Sequence, residues 1–101
     1  MTIRILTCHP ALCYVLNRTA PMGTTVRFNH RAAAQDGLVC DIEIESKINQ
    51  AAEEASVLVE WLPQHVLYYG ARSMEVNGRS IGTAEHELRH ALHLTRRKRA
   101  A

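Results

Sequence analysis

Residues 86 to 90 of the chain read His-Glu-Leu-Arg-His. Two histidines four positions apart lie one turn apart on the same face of a helix, so both imidazoles can meet a single ion. Glu87 is rotated by about 100° from His86 around the helix axis. From there its carboxylate can reach a water beside the ion without binding the metal itself, as a general base must. His-Glu-x-x-His on a helix therefore points to zinc and to hydrolysis. His93 extends the row, within about 20° of His86 on the wheel but about 10 Å further along the axis. It is one candidate for a third ligand. The others, His65, His30, His9 and Cys8, lie upstream, and nothing in the sequence chooses among the five.

The segment resembles the active-site helix of the zincin metallopeptidases over about residues 82–92. Thr83 stands three residues before the first histidine, where those helices usually carry Val or Thr, and the small Ala84 follows it. Leu88 supplies the usual apolar residue after the glutamate, and Ala91 and Leu92 the usual small or apolar pair after the second histidine. The departure is Arg89, where uncharged residues are the rule. The resemblance implies zinc held by His86 and His90, Glu87 as base, and strands with a backing helix ahead of the active-site helix. Longer zincins draw a third ligand from beyond the helix. Here no acidic residue follows Glu87, and His93 stands where many families turn with glycine.

The rest of the chain must position these groups. With 101 residues, 47% apolar and 22% charged, it reads as one globular domain with a modest core. The longest apolar run, Ala11 to Leu16, is far short of the roughly 20 residues a membrane span needs. His9 and Pro10 interrupt the only early apolar stretch, which argues against a secretory signal. Three cysteines, Cys8, Cys13 and Cys40, are an odd number without framework spacing; they read as buried thiols in a reducing, cytoplasmic setting. Cys8-His9 with Cys13 lacks a C-x-x-C pairing, and no G-x-S-x-G turn accompanies the only aspartates, Asp36 and Asp41, so nucleophilic alternatives are weak.

Formal net charge is +2, from 12 basic and 10 acidic residues. Arg96, Arg97, Lys98 and Arg99 hold four of those basic groups, so a mildly acidic body at 1–94 precedes a basic tail at 95–101. The body has no nucleic-acid footprint. Only the tail could touch phosphates, and a frayed, solvated helix end is the simpler reading of it.

Periodicity supplies the elements. Thr2 to Thr7 alternates as a strand that Pro10 ends. Ala11 to Leu16 is too short for its period to decide and is assigned to a strand, followed by a loop over Asn17 to Thr24. Thr25 to Asn29 is a short strand, Asp36-Gly37 a turn, and Leu38 to Glu45 the best strand, with Leu38, Cys40, Ile42 and Ile44 on one face. Ser46 offers a cap to an amphipathic helix that Pro63 should stop, its glutamates Glu53, Glu54 and Glu60 away from the apolar stripe. His65 to Tyr69 is a strand candidate. Asn77-Gly78 between Ser73–Val76 and Arg79–Gly82 is a hairpin signal. Thr83 should cap a helix reaching about Arg97. The expected class is α+β, a small mixed or antiparallel sheet on two helices, the C-terminal one carrying the motif.

Two functions fit. In the first, a minimal zinc hydrolase acts on a peptide or protein substrate, which the Ser73–Gly82 hairpin edge could hold by strand addition. In the second, a non-catalytic inhibitor or adaptor, of the kind mobile elements encode, binds a protein or nucleic-acid partner. In that case His86, His90 and His93 merely decorate the face opposite Ala84, Leu88, Ala91 and Leu92.

Overall fold

A computed structural model describes residues 1–30, 40–48 and 51–100, with side chains except at 29, 30, 51 and 94–100. The elements in chain order are β1 (Thr2–Thr7), α1 (Pro10–Thr19), β2 (Thr24–His30), β3 (Cys40–Ser46), α2 (Ala51–Tyr69), β4 (Ser73–Val76), β5 (Arg79–Ile81) and α3 (Glu85–Ala100). The strands form one antiparallel sheet in the order β2-β3-β1-β4-β5. β1 and β2 run parallel with β3 between them, and β3 and β4 run parallel with β1 between them. The first four strands thus make the split βαβ arrangement twice, and β5 and α3 are added at the β4 edge. The α+β expectation holds, with a third helix.

One sheet face carries the core. Ile3, Ile5, Ile42, Ile44, Met74 and Val76 point to the helices and meet Leu12 and Leu16 of α1, Leu58, Trp61, Leu62 and Val66 of α2, and Leu88 and Leu92 of α3. The other face is charged. Register lines up Arg27, Glu43, Arg4 and Glu75 across β2, β3, β1 and β4, alternating in sign. Opposite charges directly across a ladder favour this register over a slipped one. Arg4 also donates to the buried Asp41 carboxylate at 2.8 Å. That bond, with the neighbouring acids, pushes the guanidinium further up from its ordinary value.

Four expected elements are corrected. Ala11 to Leu16 is helical, not extended. Pro10 ends β1 and then occupies the first turn of α1, where a missing N–H costs nothing. Leu12 and Leu16, four apart, are the residues α1 buries. The loop after it is correspondingly shorter. Ser46 is not a cap; it closes β3, and its hydroxyl donates to Glu54 at 2.9 Å. Glu54 is therefore buried, 1% exposed, rather than on a wet face. The amino group of Met1 donates to the Ser46 carbonyl at 3.0 Å and lies 3.9 Å from the same carboxylate.

Pro63 does not stop α2, and residues 65–69 are its last turns rather than a strand. A proline inside a helix leaves the carbonyl four residues back without its donor. That carbonyl belongs to Val59, and Arg89 of α3 donates to it through Nη1 at 3.4 Å. A guanidinium from the neighbouring helix thus takes the place of the missing N–H. Tyr68 and Tyr69, edge to face with centroids 4.9 Å apart, sit at the end of this helix and not on a strand. Trp61 is buried and donates to Thr19 Oγ1 at 2.8 Å, tying α2 to α1.

The hairpin holds: Asn77 (φ 51°) and Gly78 (φ 82°) both take the positive φ of a type I′ turn. Asn77 also exchanges two hydrogen bonds with the backbone of Thr2, at 2.7 and 2.9 Å, fixing the hairpin to β1. The Asp36-Gly37 turn and the Leu38–Val39 start of the third strand lie outside the described residues. Of the thiols, Cys40 is buried, Cys13 half-buried and Cys8 exposed, so the buried reading fails for Cys8. Burial pushes the Cys13 and Cys40 thiols up from their ordinary value. None of the described helices is long and apolar enough to cross a membrane.

Candidate active site

The motif sits where β5 hands over to α3. The N–H groups of Glu87 and Leu88 both point to the Ala84 carbonyl, at 3.1 and 3.2 Å, so α3 starts from Ala84 and Thr83 stands outside as an uncapping neighbour. Helical spacing then sorts the side chains. Leu88 and Leu92, one turn apart, are fully buried against α2; truncating either to alanine costs about 2–5 kcal/mol. Arg89 forks onto Glu85 within α3 at 2.7 and 3.0 Å and reaches the Val59 carbonyl at 3.4 Å, adding a polar link from α3 to α2. Backbone helix continues through 95–100, where the basic tail was expected.

With that face committed, the imidazoles are left outside. The His86 side chain is 82% exposed, and His90 and His93 are exposed as well. His86, Glu87 and His90 line one groove of about 290 Å³ with Ile81, Gly82 and Ala91. Its walls are mainly apolar, with these three groups as its polar edge. His93 lies one turn beyond, outside that lining. Glu87 Oε1 stands 3.9 Å from His86 Nε2, and its carboxylate folds back over the Cα of Gly82.

The sheet register places the upstream donors. Ile81 pairs with Met74, and Ser73 with Leu6, so the end of β5 and the end of β1 share one end of the sheet. Cys8 and His9 follow β1 there, two strand spacings or about 10 Å from β5. The backbone of His30 is at that same end, because it pairs with Cys40, but on the opposite edge, four spacings or about 19 Å away. His65 is half-buried on α2. Among the described residues, no three of His, Cys, Asp and Glu converge closely enough to hold a metal. The groove thus offers two imidazole nitrogens, the ligand type zinc takes, one short of the three protein ligands of a catalytic zinc site, with one carboxylate beside them.

Spacing in the sequence identified His86, Glu87 and His90 but not Ile81 and Gly82. Their one signal was the hairpin turn, which returns the chain to the start of α3. No family model, curated protein or solved structure matches the chain.

Proposed function

We propose that the groove at the β5–α3 junction is the active site of a small zinc-dependent hydrolase whose substrates are peptides. The observation that carries this is the placement of His86, Glu87 and His90 on one groove, with the base candidate offset from both imidazoles as hydrolysis requires. His86 and His90 would hold the ion with a third ligand that the described residues do not bring to the groove. Zinc, when bound, polarises a carbonyl and acidifies a water. Glu87 would accept the proton released as that water attacks the substrate carbonyl, and pass it to the leaving nitrogen. Burial of Leu88 and Leu92 turns the helix face that carries both histidines toward the groove. The outer edge of β5 offers backbone groups along which an extended peptide can add as a strand, with Ile81 and Ala91 giving an apolar wall to a side chain beside the cleaved bond.

The alternative, a non-catalytic protein that binds a partner through this surface, draws support from the two-donor count among the described residues and from the exposure of all three α3 histidines. A quenched-fluorescent peptide library incubated with protein reloaded with zinc separates the two. The hydrolase cleaves it, and a chelator stops the cleavage. Absence of cleavage at any zinc concentration refutes the hydrolase.

A further inference from the structure

Gly82 is the last residue of the groove before α3 begins, and nothing in its backbone demands glycine. Gly23, Gly70 and Gly78 take positive φ angles; Gly82 does not. A side-chain carbon at position 82 would instead fall on the carboxylate of Glu87, meeting Oε2, Cδ and Oε1 together. The space a side chain would fill is occupied by the group assigned as base.

We propose that Gly82 is a positioning residue for Glu87, leaving bare the backbone on which the carboxylate rests within the groove shared with His86 and His90. The inference rests on the assignment of Glu87 as the base. The glutamate is a flexible side chain with 43% exposure, so it has room to swing outward when displaced. A methyl group at 82 therefore moves the carboxylate and leaves the helix, both histidines and the core where they are. In this role Gly82 acts through Glu87.

The test has two arms. In isotope-labelled, metal-free protein, nuclear Overhauser contacts join the Glu87 γ protons to the Gly82 α protons, and Gly82→Ala shifts the Glu87 side-chain resonances while leaving those of Leu88 and Leu92 in place. In zinc-loaded protein assayed on the quenched-fluorescent peptide library, Gly82→Ala keeps zinc content and lowers kcat by about 10²–10⁴-fold, as loss of a general base does. KM stays within about threefold. The double variant Gly82→Ala/Glu87→Gln is no slower than Glu87→Gln alone, because both changes remove one function. Missing Overhauser contacts, a Gly82→Ala variant as active as wild type, or losses that multiply in the double variant would each overturn the inference. Wild-type protein without zinc-dependent cleavage overturns the hydrolase assignment itself, and is distinguishable because the metal-free contacts are unaffected.

Discussion

Glu87 and the two histidines differ in what their removal should do. Glu87→Gln keeps the shape of the side chain and loses the proton acceptor. It is expected to retain zinc and to lower kcat by about 10²–10⁴-fold, read from metal content and peptide cleavage on the same preparation. A variant that loses zinc would make Glu87 a ligand instead. That His86, Glu87 and His90 share one groove was legible in the sequence because a helix turns spacing into direction: positions 86 and 90 share a face whatever the rest of the chain does. Gly82 was not legible. A glycine announces itself through a turn or a positive φ, and this one has neither; only the folded position of Glu87 explains it. Glu54 misled in the opposite sense. Its place on the wheel is polar, yet it is buried where Ser46 of β3 and the amino group of Met1, just ahead of β1, come to it, contacts that no local pattern encodes.

Helices and strands were read with unequal success, for physical reasons. β1, β3 and the Asn77-Gly78 hairpin alternate clearly or carry a turn with one conformation, and all three hold where described. α1 failed because its apolar run is too short for a period of 2 and a period of 3.6 to differ. α2 failed at Pro63 because the rule that proline ends a helix assumes the orphaned carbonyl finds no other donor. Arg89 is that donor, and it comes from a helix 26 residues further on. The pairing makes a prediction. Pro63→Ala restores the N–H that Val59 lacks, so the guanidinium then contributes less. Arg89→Met should destabilise the wild-type background by about 1–3 kcal/mol and the Pro63→Ala background by less. The two losses should differ by about 0.5 kcal/mol or more in a urea double-mutant cycle. Equal losses in both backgrounds would leave the Glu85 fork as the only role of Arg89.

At the scale of the whole molecule, a twice-repeated split βαβ sheet forms the body, and the groove lies on β5 and α3, appended to its edge. The body also holds two thiols whose burial raises them above the ordinary value of 9.0. Folding favours their protonated form, so their contribution is fully present below that value and is lost as pH rises through and above it. Melting temperature should therefore fall as pH rises above 9.0 more steeply in wild type than in a Cys13→Ala/Cys40→Ala variant; parallel curves would show that the thiols do not contribute. The sheet end that carries β5 also carries Cys8 and His9, a proximity visible only once the strand order is known. The central claim is that His86 and His90 hold a metal, and zinc binding to wild type, His86→Ala and His90→Ala after chelator stripping and reloading tests it most directly. Wild type is expected to take up zinc near one ion per chain and to gain melting temperature on reloading, and each histidine variant to lose both, since the ligands that remain do not hold zinc tightly. Equal zinc content in all three proteins, with no chelator response in any, would contradict the metal site and the hydrolase with it.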